Sequence, residues 1–600
     1  MRHTPLIDRR HLDFALYELL DVAALTAYPR FAEHSRETFE AVTETAHKVA
    51  METFYPHNRL SDLNEPHMVD GKVVLIPEVA AGVQAFIDAG FMAILADVED
   101  GGMQLPFVMA AVCDGLFASA NLGTSAYPML ARAAANLLAV YATDAQKQRW
   151  MRPIIDGRYF GTMCLSEPQA GSSLADIKTS AKAQADGSYR LTGAKMWISA
   201  GDHELGENIV HLVLARIEGA PAGVRGISLF IVPRWRINAD GTRGARNDVR
   251  LAGLNHKMGQ RGSVNTFLKF GESDDCYAEL VGEPHRGLGY MFHMMNEERI
   301  GVGIGAIQQG YVGYLYSLQY ARERRQGRHP DQKDPTAASL AIIEHADVRR
   351  MLLAQRAYVE GSHLLSLLAA TLVDHAHAPD EAVQSQSAQL LDLLTPIVKA
   401  WSSDWCLKAN ELAVQVLGGY GYTREYPVEQ CYRDNRINPI HEGTNGIQAL
   451  DLLGRKVMQD GGAALRLLFA RIEECCAAAS EHKALATMAG ELRAAMSEVG
   501  TATVIAGKRM AGGEVRTTLA NAQYYMSALG HVSIGWMWLW QALAAENALA
   551  TAAAHDAAFY QGKVHTCRWF FAVELPQVAH WSQLISSNEP SAYAMREEWF

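Results

Sequence analysis

Apolar positions along the chain change their period twice. Up to about residue 160 they recur at steps of three and four, as in Thr38–Met51 and in the apolar run Leu130–Tyr141, and this predicts helices. Thr143-Asp144-Ala145-Gln146 has the capping-box pattern of a fresh helix start, while Gly101-Gly102, Pro106 and Asn121–Pro128 punctuate the region. Asp156-Gly157 marks a turn, and between about 161 and 282 the pattern becomes that of strands. Tyr189–Ser199, Ile209–Ala215 and Gly226–Pro233 are short, rich in β-branched and aromatic residues and parted by Gly/Asp turns, which predicts an antiparallel sheet or barrel. Helical periodicity returns over 287–460, interrupted by the polar loop Gln326–Thr336. It continues as an Ala-rich stretch with one break at Gly512-Gly513 and a short tail from Asn588. The expected fold class is α+β, mostly α. It has four segments: helical 1–160, β 161–282, a helical bundle 283–460, and a helical extension 461–600.

Composition narrows the classes. A chain of 600 residues is too long for one core, and 49% apolar with 20% charged residues describes an ordinary globular protein. A formal charge of -12, from 54 basic and 66 acidic residues, argues against nucleic acid and anionic membranes as partners. The eight cysteines, with Cys475-Cys476 adjacent, have neither metal-ligand spacing nor the look of a disulfide framework, so no metal and a reduced, cytoplasmic setting are expected. The opening MRHTPLIDRRHLDF carries charges where a secretory signal needs an apolar core. Val532–Trp540 is half the length that spans a bilayer, so no transmembrane segment is expected.

The candidate chemistry centres on His441-Glu442-Gly443-Thr444-Asn445-Gly446-Ile447-Gln448. Ile447, Leu450, Leu453 and Val457 fall on one helical face, and Asn445 with Gln448 makes a capping-box-like start. Glu442 thus sits on an irregular turn before a helix N-terminus, beside backbone N–H groups that can polarise a carbonyl. A general base beside such donors is what removal of a proton α to a carbonyl requires. On the octamer alone, an ordinary acidic residue of a helix-entry loop fits as well.

Two further stretches offer ligand contacts. In Met163–Ser173, Ser166 and Gly171-Ser172 present O–H and N–H donors suited to a planar heterocycle or a phosphate, although a Ser/Gly loop between domains has the same composition. Lys195-Met196-Trp197-Ile198-Ser199 ends a strand with a Trp that could stack on an aromatic cofactor or belong to the core. Gly301-Val-Gly-Ile-Gly305 has no strand before it, and its glycines suit close helix packing better than a phosphate cradle.

Several motifs occur in one order over roughly 40–460. They are the Ser166–Ser172 loop, Lys195–Ile198, His256–Gly262, Leu280–Glu283, Met295–Arg299, Gln415–Glu429, Arg433-Asp434 and Glu442-Gly443-Thr444. Together they resemble the acyl-CoA dehydrogenase family. The long C-terminal extension resembles the branch that contains 3-methylmercaptopropionyl-CoA dehydrogenase. The resemblance implies an N-terminal helical domain, a middle β-barrel, a C-terminal four-helix bundle and an extra helical domain.

It also implies FAD as cofactor. Leu165 and Ser166 would bind the flavin pyrimidine edge, Gly171 and Ser172 would lie near flavin and acyl-CoA, and Trp197 and Ser199 would contact the isoalloxazine and phosphates. Arg324, Gln415 and Gly419 would reach the FAD pyrophosphate of a neighbouring subunit, which implies a homodimer or tetramer, and Thr444 would sit near the adenosine. Many relatives carry Gln two residues after that threonine, where this chain has Gly446.

Asn296 and Arg299 would line the CoA cleft, with Ser172, Glu442 and Gly443 at the substrate. Glu442 would be the α-proton base, and its backbone N–H with a flavin ribityl hydroxyl would hold the thioester oxygen. Glu298 stands where isovaleryl- and long-chain-type relatives place their base. The implied activity is α,β-dehydrogenation of an acyl-CoA in fatty-acid β-oxidation, with an electron-transfer flavoprotein as acceptor. A thioether acyl-CoA substrate and an acyl-CoA oxidase are alternatives; a non-catalytic DNA-binding relative is disfavoured by the lack of a basic tract in 461–600.

Overall fold

The computed structural model describes residues 6–600. It divides the chain into two compact units, one of residues 34–298 and one of residues up to Glu33 together with 299–600.

The first unit opens with helix α1 (Arg36–Val49), started by a reciprocal Ser35/Thr38 capping box, then α2 (Pro77–Asp88) and α3 (Phe107–Tyr141). Phe54, Phe86, Phe91 and Phe117 are buried together with ring centroids as close as 4.8 Å, an aromatic core for this helical part. The break expected over Asn121–Pro128 reduces to one residue. Asn121 alone leaves helical geometry (φ -162, ψ 93), and its Oδ1 accepts from Thr124 N at 3.0 Å, restarting the helix as a local cap. Helix α3 is long and apolar enough to cross a membrane, yet 83% of its most apolar window is buried. The Thr143/Gln146 capping box forms as expected.

The β segment supplies β1 (Tyr159–Cys164), β2 (Ser180–Ala183), β3 (Tyr189–Ser199), β4 (Asn208–Ile217), β5 (Ile227–Pro233), β6 (Val249–Leu254), β7 (Asn265–Phe270) and β8 (Tyr277–Val281). Strands β3, β8, β5, β4 and β2 pair in turn, and β2 pairs back to β3, closing a small barrel. β7 and then β6 extend the sheet from β3, and β1 flanks β4. The pairing is not purely antiparallel: β1 and β2 both run parallel to β4. β1 arrives from the helical segment and reaches β4 by a long crossover rather than a hairpin, and only such a connection permits a parallel pair.

In the second unit, α4 (Gly287–Glu323, of which Arg299 onward belongs here), α5 (Ala346–Asp374) and α6 (Glu381–Leu417) form the bundle, and α7 (Asn445–Asp451) packs on α6. A Cβ on Gly303 would stand 2.7 Å from the Val398 carbonyl oxygen, and one on Gly310 would stand 2.9 Å from Cys406 Cβ. Gly303 therefore serves helix contact, as expected, and Gly310 does the same, whereas a Cβ on Gly301 would meet nothing within 4 Å.

The extension contributes α8 (Ala463–Ser480), α9 (Ala486–Ala511), α10 (Ala522–Leu549), α11 (Ala554–Val573) and α12 (Gln577–Ser587). Helix α10 is its axis, and its Trp538 is fully buried with Nε1 donating to Ala357 O at 2.9 Å. Beneath it the Lys563 ammonium is buried against His11 Nδ1 (2.6 Å), Glu360 Oε2 (2.8 Å) and Gln541 Oε1 (2.9 Å), which ties the N-terminal residues, α5 and the extension together.

Candidate active site

In the second unit, Glu442 has φ 51 and Gly443 φ 82, two successive left-handed residues immediately before α7. Left-handed backbone is costly for a residue with a Cβ, so the turn persists only because its surroundings over-determine it. Those surroundings are specific. Gln448 Nε2 donates to Glu442 O at 3.2 Å, and a Cβ on Gly443 would lie 2.5 Å from that same nitrogen. Lys399 on α6 donates from Nζ to Gly443 O at 2.7 Å and to Asn445 Oδ1 at 2.9 Å. Asn445 Nδ2 in turn donates to Ala400 O (3.1 Å), Ser403 Oγ (2.9 Å) and Asp404 Oδ1 (2.7 Å).

Two expectations change here. The N-cap of α7 is Thr444, whose side chain accepts from Ile447 N at 3.3 Å, and not Asn445, whose amide is committed to α6. The buried face is Asn445, Gln448, Ala449 and Leu452, while Ile447 and Leu450 are 37% and 39% exposed. Leu453 and Val457 are buried, but the regular helix ends at Asp451, so the four apolar positions never form one stripe.

Burial raises the Glu442 carboxyl above the ordinary carboxylate range, against the pull of Arg299 and Lys399 acting through space. Burial likewise brings the Lys399 ammonium down to about 8, with Asp404 and Glu442 opposing. His441 is lowered to about 3 by burial and then by Lys399, so its imidazole is neutral. Its Nε2 lies 3.0 Å from Asn438 Oδ1, opening a buried amide relay. Asn438 donates to Asn435 Oδ1 (2.9 Å), Asn435 to Asn410 Oδ1 (2.7 Å), and Asn410 to Gln309 O on α4 (2.8 Å). Among the described residues no acceptor takes the Glu442 backbone N–H. The arrangement provides a carboxyl poised to accept a proton with a peptide N–H available beside it.

Of the residues expected to contact flavin in the first unit, Leu165 and Ser166 are held beside the end of β3, which carries Trp197 and Ser199. Glu167 Oε1 accepts from Lys195 Nζ (3.0 Å), Thr179 N (3.0 Å) and Thr179 Oγ1 (2.6 Å), and Oε2 accepts from Lys178 N at 2.7 Å. Burial alone would raise this carboxyl, but the Lys195 ammonium and the N–H donors hold it at about 2. Lys195 also donates to Leu165 O at 2.9 Å, and Met196 N to Ser166 O at 3.0 Å, so the 165–173 loop is fixed beside the strand. The β3–β7 register slips between Thr266 and Leu268, opposite Met196 and Trp197. Trp197, at φ 66, is turned out of the sheet and is 62% exposed. Ser199 Oγ accepts from Asn265 Nδ2 at 3.3 Å, and Gly171 and Ser172 are exposed at the loop's far end.

Elsewhere in the second unit, Arg324 and Gly419 line a surface pocket of about 450 Å³ with Tyr320, Gly418, Tyr420 and Thr423. The Arg324 guanidinium stands 5.4 Å from the Tyr420 ring centroid, and exposed Gln415 precedes the pocket on the last turn of α6. On the part of α4 in the first unit, Asn296 is exposed and Glu298 partly buried. It is their neighbour Glu297 that meets Asn136 Nδ2 (3.1 Å) and His293 Nε2 (3.4 Å). The sequence reading passed over Lys399 and the Glu167–Lys195 pair, and it gave Asn445 only a capping role. Lys399 did leave a signal, as a lone cation inside the apolar run Leu393–Trp401.

Comparison with known proteins identifies the family and the fold. Residues 36–158, 162–271 and 285–458 match the N-terminal, middle and C-terminal domain models of acyl-CoA dehydrogenase, and 468–596 match the model described as acetyl-CoA dehydrogenase C-terminal like. The chain is 36% identical to 3-methylmercaptopropionyl-CoA dehydrogenase of Ruegeria pomeroyi over 94% of both chains. It is 34% identical to the broad-specificity linear acyl-CoA dehydrogenase FadE5 of Mycobacterium tuberculosis over 98% of both. Among solved structures, Caenorhabditis elegans ACDH-11 in complex with C11-CoA aligns with a TM-score of 0.76 at 18% identity, covering 100% of this chain and 97% of that one. A Bacillus anthracis acyl-CoA dehydrogenase complexed with FAD aligns with a TM-score of 0.74 at 20% identity, covering 94% and 90%. With three family domains in order and relatives matched end to end, this chain belongs to the acyl-CoA dehydrogenase family of FAD-dependent oxidoreductases.

Proposed function

We propose that the protein dehydrogenates an acyl-CoA thioester to the trans-2-enoyl-CoA, with Glu442 taking the α-proton. The observation that carries this reading is a carboxyl raised by burial on a doubly left-handed turn whose own peptide N–H is unused. An α-C–H is far too weak an acid for a free carboxylate, so the thioester oxygen must be polarised as the proton leaves. A donor aimed at the developing enolate is worth about 3–4 kcal/mol. The Glu442 N–H is offered for that oxygen, and Arg299 on α4 acts through space on the Glu442 carboxylate. Desolvation brings the carboxyl toward the working pH, where a general base is most effective.

The residues fit FAD. An exposed indole stands on a bulge beside the Ser166 loop in one unit, and a pocket holding Arg324 lies in the other. When bound, FAD would supply the acceptor for the hydride that leaves the β-carbon. Leu165, Ser166, Gly171, Ser172, Trp197 and Ser199 are assigned to its isoalloxazine and phosphates, and Thr444 to its adenosine. Arg324, Gln415 and Gly419 are assigned to the pyrophosphate of a second subunit's FAD, and this makes the working form a homodimer or tetramer. An electron-transfer flavoprotein is the proposed acceptor of the two electrons, and the cytoplasm the proposed compartment. Asn296 and Arg299 are assigned to the CoA moiety. The two relatives described above suggest straight-chain and short thioether acyl groups as the substrates to try.

The base is tested with paired variants. Glu442→Gln should remain yellow and lose about 10²–10⁴-fold in turnover, whereas Glu298→Gln should keep most of it. The opposite pattern would move the base to α4.

A further inference from the structure

Lys399 is a buried cation that the reaction itself does not use. It sits near the end of the apolar run Leu393–Trp401 of α6, with no exposed surface, and the oxygens it meets are Gly443 O and Asn445 Oδ1, just after Glu442. Burying an ammonium costs several kcal/mol unless it is paired and hydrogen-bonded, so such a group is retained for what it holds. It holds Gly443 O from one side while Gln448 Nε2 holds Glu442 O, so each carbonyl of the doubly left-handed turn has a side-chain donor. Asn445, the second acceptor, carries the constraint to Ala400, Ser403 and Asp404 on the same helix.

We propose that Lys399 is the positioning residue of Glu442, clamping Gly443 and Asn445 so that the base stays on its left-handed turn with a fixed positive charge beside it. The proposal rests on Glu442 being the base.

Besides Lys399, the charged group facing Glu442 is Arg299 of α4, and the neighbouring His441 is neutral. Lys399 faces Asp404, Glu442 and Arg299; Arg299 also feels Asp451, Arg455 and Asp392; Asp404 also feels Arg436. Of the two cations acting on Glu442, Lys399 hydrogen-bonds its turn directly, at Gly443 O and Asn445 Oδ1. Burial brings the Lys399 ammonium down to about 8, so the clamp is at full charge below that pH and weakens above it.

The test replaces the cation and reads the ionisation of Glu442 directly. In the FAD-loaded enzyme without substrate, the Glu442 carboxyl is identified in infrared difference spectra as the band that Glu442→Gln removes, and it is titrated with pH. Lys399→Met should keep flavin absorbance, shift that titration to higher pH, and lower kcat about a hundredfold with a smaller change in KM. Lys399→Arg should restore the titration. Should the Met variant fail to fold, Lys399→Gln, which retains an N–H donor but no charge, should show the same upward shift. An unmoved infrared titration in the uncharged variants, or a kcat loss that merely follows a lowered Tm, would overturn the proposal. Full turnover by Glu442→Gln would instead remove the catalytic reading, and the infrared titration would still decide whether Lys399 sets that carboxyl.

Discussion

At Glu442 a side chain with a Cβ occupies φ 51 and its carboxyl is withdrawn from water. Each condition is unfavourable alone, the backbone by about 1–3 kcal/mol. Gly443 makes the pair tolerable, because at φ 82 any Cβ would be strained and would press on Gln448. Gly443→Ala should therefore lower Tm by several degrees and abolish turnover together, measured by thermal melting and by steady-state assay. The raised carboxyl also sets a pH dependence. The base works as the carboxylate, so the acid limb of kcat should lie above the ordinary carboxylate pKa of about 4.3. In the protein without substrate the sign for stability is opposite. A raised folded pKa favours the protonated fold, so this contribution is present below about 4.3 and is lost as pH rises through the folded value. Glu442→Gln should remove both dependences.

At the level of elements, the Glu167–Lys195 pair decides where the Ser166 loop and Trp197 stand. Glu167→Gln leaves Lys195 buried without its counter-ion and should destabilise the first unit by about 3–5 kcal/mol in a denaturant titration, with weaker FAD retention. With the carboxyl held at about 2, its stabilisation is present above the ordinary value near 4.3 and is lost as pH falls from there toward 2. Trp197→Ala touches no core contact and should loosen FAD while leaving Tm of the FAD-free protein nearly unchanged, which a flavin-release assay checks.

Local patterns of this kind were legible in the sequence. Strand β3 runs over Tyr189–Ser199 as its β-branched and aromatic pattern indicates, and the Thr143/Gln146 box and the Gly512 stop fall where propensity puts them. What was not legible depends on partners distant in sequence. Asn445 looks like a helix cap until α6 supplies it with better acceptors. The parallel pairing of β1 with β4 follows from a crossover that no two-residue period reveals. Glu442 was legible through the whole motif series rather than through its own octamer, in which an acidic residue before a helix is commonplace.

At the scale of the molecule, the C-terminal extension is structural support for the turn and not an appendage. Helix α10 packs on α6 and α7, and Gln523 at its start donates to Asp404 Oδ2 (3.3 Å), whose other oxygen receives Asn445. Deep in the same unit, Lys563, Glu360 and Arg356 form a buried ionic group under α10. Removing residues 461–600 would take Lys563 away from Glu360 and uncover the apolar faces of α5 and α6, so a chain ended at 460 should be recovered as insoluble or FAD-free protein. The central claim is a flavin enzyme whose chemistry begins with proton loss to Glu442. Its most direct test is the visible spectrum of the purified protein before and after anaerobic addition of straight-chain and thioether acyl-CoAs. The wild-type protein should be yellow and be bleached by an acyl-CoA, and Glu442→Gln should stay yellow. A colourless protein that cannot take up FAD, or a Glu442→Gln variant bleached as fast as the wild type, would contradict it.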